Sequence, residues 1–270
     1  MSGIKTSCFS ILLFGTFVFA LFGCHADNAA KSIKVGTISG IETALMVVAQ
    51  KVAEEKYALK VTIVPFTDYT MPNEALAEGS IDANAFQTQP YLDDIMTKRG
   101  YKMTVVGKTF IYPMGVYSKK IKQLSQLKSG STVTVPNDPS NEARALLLLQ
   151  SAGLITLKMG DATMLTVNEI ETNPKNLHIK AIDASQLPRT LPDVDIAVIN
   201  TNYAMVAGLI PSRDALFLET PKSPYANLIV VKQGNESDVR VKELVSAFQS
   251  PEVIQKANEL FKGQAIPAWQ

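Results

Sequence analysis

Residues 132–154 read TVTVPNDPSNEARALLLLQSAGL. The first five, TVTVP, have the β-branched character of a short strand. Asp138-Pro139 then breaks the run, and Ser140 is a credible N-cap for a helix. From Ser140 to Leu154 the leucine-rich stretch reads as a strong helix. A strand that passes through a tight turn into a helix is one α/β unit, and the same grammar recurs on both sides.

Upstream, IKVGTI (33–38) reads as a strand and IETALMVVAQKVAEEKY (41–57) as a helix with Leu45, Val48 and Val52 on one face. LKVTIVPF (59–66) is a second strand. PNEALAEG (72–79) is a short helix that starts near Pro72 and stops at Gly79, and TQPYLDDIMTKRG (88–100) repeats that pattern with Pro90 and Gly100. YKMTVVGKTF and MGVYS come next as strands, and LSQLKSG as a helical turn. Downstream, HIKAID (178–183), VDIAVIN (194–200) and YANLIVVK (225–232) read as strands. TNYAMVAG, VRVKELVSAFQ and PEVIQKANELFKG read as helices. Strands alternating with helices of this length predict an α/β fold around mostly parallel sheets. No linker rich in Pro, Gly or Ser separates the halves, so two lobes joined by crossing strands are expected rather than two independent domains. The length of 270 residues suits that size.

The beginning of the chain has its own character. FSILLFGTFVFALFG (9–23) is uncharged and apolar, is short for a membrane span, comes after a single Lys5 and ends in small residues, as a secretory signal does. It closes on Leu21-Phe22-Gly23-Cys24, which resembles the bacterial lipobox, where cleavage precedes an acylated Cys. Phe22 is bulkier than the residue usual there. The expectation is a signal peptide over 1–23, lipidation at Cys24 and a small polar tether over 24–32. The 26 basic residues include Lys5, so the remainder balances the 25 acidic ones. No basic surface for nucleic acid or anionic lipid is predicted.

Few residues are left for reaction chemistry. The two Cys are Cys8 and Cys24, so the mature domain has no thiol, and the two His are His25 and His178. Zinc-type sites and His-based catalysis both need more than that. No metal or cofactor is expected. The GTISG turn (36–40) lacks the dinucleotide pattern.

Candidates for ligand contact lie elsewhere. Arg144 falls in the first turns of its helix, where unpaired amides favour an anion and an Arg can clamp a carboxylate. A cation is unfavourable at that helix end, which calls for an offset. A solvated Arg, or one paired with Glu142 or Asp138, is the plainer alternative. Asn200 and Asn227 sit at strand boundaries, where α/β sheets bind ligands, and an amide offers both a donor and an acceptor. Turn chemistry would also explain them. Phe66, Tyr69, Phe86 and Tyr91 lie in two polar-rich connecting segments; core packing explains any one of them, and four together suit a pocket wall.

Eight ordered strings extend this: DYTMPNEAL, DANAFQTQPYLDD, YSKKIKQLSQL, VPNDPSNEARALLLLQSAGLI, NPKNL, QLPR, AVINTNYA and SPYANLIV. Over residues 33 to 270 the chain resembles the methionine-binding lipoproteins of bacterial methionine ABC transporters, the NlpA-type family. The resemblance implies a type II periplasmic-binding-protein-like fold with a ligand cleft between two α/β lobes, no catalysis and no cofactor. It implies Arg144 as carboxylate-binding residue with Asn141 one turn before it, Asn200 and Asn227 at the amino-acid head group, and Phe66, Tyr69, Phe86 and Tyr91 around the methionine side chain. Thr88 departs from the family, whose members commonly carry His there. Thr is smaller, uncharged and does not titrate near neutral pH.

The expected domains are lobe 1 over 33–116 and 226–270 and lobe 2 over 117–225, with crossings near Tyr112–Ser118 and Asn227–Val231. The expected protein is a monomer, lipid-anchored to the cell envelope. Its expected partners are L- or D-methionine, an ABC permease with its cytoplasmic ATPase, and the membrane through the anchor. Rival readings are a binder of another small amino acid or of a methionine-containing dipeptide, a hydrolase on a similar frame, and an envelope lipoprotein with no transport role.

Overall fold

The computed structural model describes residues 1, 3, 31–158, 165–220 and 223–270. The expected signal peptide, Cys24 and most of the tether lie outside the described residues.

The first elements are β1 (Ser32–Ile38), α1 (Ile41–Tyr57), β2 (Lys60–Phe66), α2 (Met71–Glu78), β3 (Ala83–Thr88), α3 (Gln89–Arg99) and β4 (Met103–Ile111). Next come β5 (Gly115–Tyr117), β6 (Thr132–Pro136), α4 (Pro139–Ser151), β7 (Thr156–Leu157), β8 (Ile170–Thr172), β9 (His178–Ile182), α5 (Leu187–Thr190) and β10 (Ile196–Ile199). The chain ends with α6 (Thr201–Val206), α7 (Pro211–Asp214), β11 (Phe217–Leu218), β12 (Ala226–Lys232), α8 (Val239–Phe248), α9 (Pro251–Phe261) and β13 (Ile266–Pro267). LSQLKSG holds only one 3-10 turn, at Leu124–Gln126.

Two sheets organise the lobes. The first has strand order β13-β4-β12-β3-β1-β2 and the second β11-β5-β10-β6-β9. They are mixed, not mostly parallel. β1 runs parallel to β2 and β3, and β6 runs parallel to β9 and β10. β12 is antiparallel to β3 and β4, and β5 is antiparallel to β10 and β11. A parallel neighbour needs a crossover that returns the chain to the same edge of the sheet. β12 instead arrives from the other lobe at the cleft edge, so it runs backward, and Asn227 at its start faces Thr88 at the end of β3. The same entry from the cleft explains β5.

The expected boundary at 116/117 falls inside β5, all of which pairs in the second sheet, and β12 lies wholly in the first. The crossings are Tyr112–Met114 and the stretch between β11 and β12.

In lobe 1, Leu45, Met46, Ala49 and Val52 of α1 pack with Leu244, Phe248, Val253 and Phe261 of α8 and α9 on one face of the sheet. Leu76, Leu92 and Val230 fill the other face. In lobe 2, Leu146 and Leu149 of α4 pack on Val133, Val135, Ile196 and Val198. Each of the buried Val, Leu, Ile, Met and Phe side chains stabilises the fold by about 1.5–3 kcal/mol. The cap of α4 is Asp138, not Ser140: its Oδ1 accepts from the Asn141 amide at 3.0 Å. Pro139 occupies the first helical position, where its missing N–H costs nothing, so the cap moves to the residue before it.

Candidate ligand-binding site between the lobes

The ends of the parallel strands and the starts of the helices after them converge between the two sheets, around a cavity. Lobe 2 supplies Asn141 and Arg144 from α4, Asn200 from the end of β10, and Thr201 and Asn202 from α6. Lobe 1 supplies Glu42 from α1, Phe86, Gln87 and Thr88 from β3, Tyr91 from α3 and Asn227 from β12, with Tyr69 ahead of α2. Tyr112 comes from the first crossing. This is the carboxyl-end crevice in which α/β sheets bind ligands.

Of the sequence-derived candidates, Tyr69, Phe86, Thr88, Tyr91, Asn141, Arg144, Asn200 and Asn227 all line the cavity. Phe66 does not. It ends β2 half-buried, with its ring against Gly36 of the neighbouring strand, and packs both toward Leu76 and Ile81 and against the cluster of Phe86, Tyr69 and Tyr91, behind the lining. Residues that sequence reasoning missed are Glu42, Gln87, Tyr112, Thr201 and Asn202. None of the five carried a signal of its own; Glu42 lies two residues after the GTISG turn. That turn touches the other lobe: Gly40 has φ 109°, and a Cβ there would come 2.5 Å from Val206 Cγ2. His178 is exposed on β9 and takes no part in the cavity lining.

Arg144 is only 5 % exposed. Its Nε donates to Glu219 Oε1 at 3.0 Å, and its Nη2 donates to Glu219 Oε2 and to the Tyr112 carbonyl at 3.0 Å. The offset for a cation near a helix start is therefore Glu219, 75 residues away in sequence, rather than Glu142 or Asp138. Nη1 makes no hydrogen bond among the described residues. Asn200 Nδ2 donates to Asn141 Oδ1 at 2.8 Å, and Asn227 Nδ2 donates to the Phe86 carbonyl at 2.9 Å and to Glu42 Oε1 at 3.3 Å.

Three atoms of this lining are buried without a partner among the described residues: Glu42 Oε2, Asn200 Oδ1 and Asn202 Nδ2. Burial pushes the Glu42 carboxyl well above the usual carboxylate range. Close behind, burial pushes Asp138 up to about 6.

The lining also carries an aromatic cluster. Tyr91 meets Phe86 and Tyr69 edge-on at 5.9 and 6.0 Å between ring centres, and Tyr69 and Phe86 are tilted at 5.9 Å. Tyr69 also bridges the lobes. Its hydroxyl donates to Asn202 Oδ1 at 2.7 Å, and its ring lies 5.0 Å from that of Tyr203. Tyr203 in turn donates to the Thr67 carbonyl at 3.3 Å.

Behind the aromatic wall lies a second amide cluster. A bulge lets two residues of β3 meet one of β12, so Gln87 and Asn84 share a face that strict alternation would deny them. Gln87 Nε2 donates to Asn84 Oδ1 and Asn73 Oδ1, Asn73 Nδ2 donates to Gln87 Oε1, and Asn84 Nδ2 donates to Asn73 Oδ1 and the Pro72 carbonyl.

Among the described residues no cluster of His, Cys, Asp and Glu could hold a metal, and no helix is long and apolar enough to cross a membrane.

Two α/β lobes closed over a cavity lined by polar and aromatic side chains are the architecture of periplasmic substrate-binding proteins. A solved structure of that description, an ABC-transporter periplasmic substrate-binding protein from Coxiella burnetii, is 56% identical and superposes with a TM-score of 0.85 over 87% of this chain and 100% of that one. A nutrient-binding protein from Burkholderia cenocepacia, solved bound to methionine, is 52% identical with a TM-score of 0.86, over 87% of this chain and 99% of that one. The D-methionine-binding lipoprotein MetQ of Salmonella typhi is 54% identical across 93% of each chain. The model of the NlpA lipoprotein family matches residues 33–269, and the chain belongs to that family. Its relatives are substrate-binding proteins, and it is one of them rather than an enzyme.

Proposed function

We propose that this protein captures methionine outside the cytoplasm and delivers it to an ABC permease driven by a cytoplasmic ATPase, while Cys24 holds it to the membrane through lipid. One observation carries the ligand class. The unpaired atoms of the cavity complement a zwitterionic α-amino acid. Asn202 Nδ2, buried without a partner, and Arg144 Nη1, which makes no hydrogen bond among the described residues, are donors for a carboxylate, and the unpaired Glu42 Oε2 and Asn200 Oδ1 are acceptors for an ammonium. Asn141 orients Asn200 and Asn227 orients Glu42. Phe86, Tyr69 and Tyr91 face the side chain. A thioether there gains about 0.3–1.5 kcal/mol per aromatic contact, which favours methionine over smaller amino acids, in keeping with the methionine-binding relatives.

Thr88 lines the cavity opposite Asn227 with a hydroxyl that makes no cap hydrogen bond, and adds to the polarity of the lining there. Delivery depends on closure and reopening. Contacts made from both lobes, such as Tyr69 to Asn202, favour the closed state once ligand is in place. Reopening about Tyr112–Met114 and the β11–β12 stretch releases the ligand.

The test is isothermal titration of ligand-stripped, full-length protein with L- and D-methionine, after mass spectrometry of whatever co-purifies. Saturable binding of either enantiomer is expected. No heat from both, or a different co-purifying amino acid or dipeptide, replaces methionine as the ligand. Intact mass of the membrane-extracted protein checks acylation at Cys24, and sedimentation checks that it is a monomer.

A further inference from the structure

Arg144 touches more than a ligand. Three of the five N–H groups of its guanidinium go to the two segments that join the lobes. Nη2 donates to the Tyr112 carbonyl in the first crossing, and Nε and Nη2 donate to Glu219, which begins the second. The ring of Tyr225, late in the second crossing, lies 4.4 Å from Arg144 Cζ. The crossings are also tied directly to each other: Glu219 N donates to the Met114 carbonyl at 2.9 Å, and Met114 N donates to Glu219 Oε2 at 3.1 Å. Glu219 is thus the node that both crossings and the arginine share.

We propose that Glu219 is a positioning residue: it fixes the fork of Arg144 so that only Nη1 is offered to the cavity, and it links a carboxylate held there to the geometry of both crossings. The proposal rests on the cavity taking an α-amino acid. The plainer role for Glu219 would be charge neutralisation alone. That role needs one contact anywhere on the guanidinium. Here the carboxylate grips the Nε/Nη2 edge in a two-point arrangement that fixes the plane of the group. It also holds a backbone amide of the opposite crossing. A rotated guanidinium would turn Nη1 away from the ligand, and a loosened Met114–Glu219 pair would let the crossings move independently of the site.

The test compares full-length wild type with Glu219→Gln, which keeps size and loses charge, and Glu219→Asp, which keeps charge and shortens the reach. Two readouts separate positioning from bulk stability. The first is titration with methionine and with methioninamide, which lacks the carboxylate. Glu219→Gln is expected to weaken methionine by about 10-fold or more and methioninamide by less than about 3-fold. Glu219→Asp is expected to recover part of the loss. The second is hydrogen exchange without ligand: in Glu219→Gln the amides of Tyr112, Met114, position 219 and Thr220 are expected to lose protection while β1 and α1 keep theirs. Equal weakening of both ligands, unchanged methionine affinity, or unchanged exchange at the crossings overturns the proposal. If wild type binds neither compound, the methionine assignment has failed on its own, and the exchange comparison still decides the coupling of the crossings through Glu219.

Discussion

Two clusters of buried amides lie within a few residues of each other, and they differ in one respect. In Asn73, Asn84 and Gln87 every side-chain nitrogen and oxygen has a partner. In the cluster at the head of the cavity, Glu42, Asn200 and Asn202 each leave one polar atom unpaired. Leaving a buried polar atom unpaired costs about 1–3 kcal/mol. A closed network stabilises the fold and shapes the wall in front of it. An open one is retained against its cost when something else completes it. Burial, amide content and proximity to the cavity do not distinguish the two; the pairing of their polar atoms does.

The largest effect is expected at the junction of the open cluster with the crossings. Arg144→Ala should weaken methionine by about 100-fold or more, because it removes the carboxylate donor and strands Glu219. Wild-type affinity by titration would take Arg144 out of the site.

The sharpest break of the comparison is a pair of variants. Asn73→Ala should cost about 2–3 kcal/mol in urea unfolding and change affinity by less than about 3-fold, since it orphans atoms of the closed network. Asn202→Ala should weaken methionine by about 10-fold; it deletes an orphan nitrogen but also removes the acceptor of the Tyr69 hydroxyl, so its ligand-free cost of about 1 kcal/mol should stay below that of Asn73→Ala. Swapped outcomes would dissolve the distinction.

Glu42→Gln comes next in size. It should weaken methionine by about 10-fold through loss of a charge-assisted contact with the ammonium. In wild type the carboxyl is raised by burial, so affinity should fall as pH drops through that raised value, where Glu42 takes up a proton and the ammonium loses its partner. The variant should lack this dependence. Ligand-free stability has the opposite sign. The raised carboxyl stabilises the fold below its unfolded value and loses that contribution as pH rises through the folded one.

The smallest effect is expected at Asp138, which burial raises from 3.8 to about 6. Its contribution is present below 3.8 and lost by pH values above about 6. Asn caps a helix as well as Asp does. Asp138→Asn should therefore gain on the order of 1 kcal/mol at pH 7. The linkage ceiling of about 3 kcal/mol is reduced by the lost attraction to the helix dipole. A melting-temperature profile across pH 4–8 that is parallel for both proteins would refute this.

Much of this was legible in the chain. The span of α1 matched its periodic pattern at both ends, because Gly40 and Ala58 bound a clean apolar face. The turn-and-cap residues Pro72, Gly79, Pro90 and Gly100 marked α2 and α3, since local chemistry ends a helix wherever it lies. Strand direction was not legible: β12 and β5 carry the same apolar pattern in either orientation. β7, β11 and β13, at two residues each, are too short for any period. Phe66 and Tyr69 looked equivalent in sequence, yet Phe66 ends β2 beside Gly36 and stays half-buried behind the lining, while Tyr69 reaches across the cleft.

The order of residues was enough for the α/β alternation, the family and most of the cavity lining, because residue type, cap chemistry and ordered motifs are local properties. Three things needed the folded chain: which buried polar atoms go unpaired, that Glu219 answers Arg144 across 75 residues, and that Glu42 belongs to the site. Those are properties of distance in three dimensions. A carboxylate's partner and its desolvation depend on which distant segments the fold brings beside it, and nothing in the neighbouring residues encodes that.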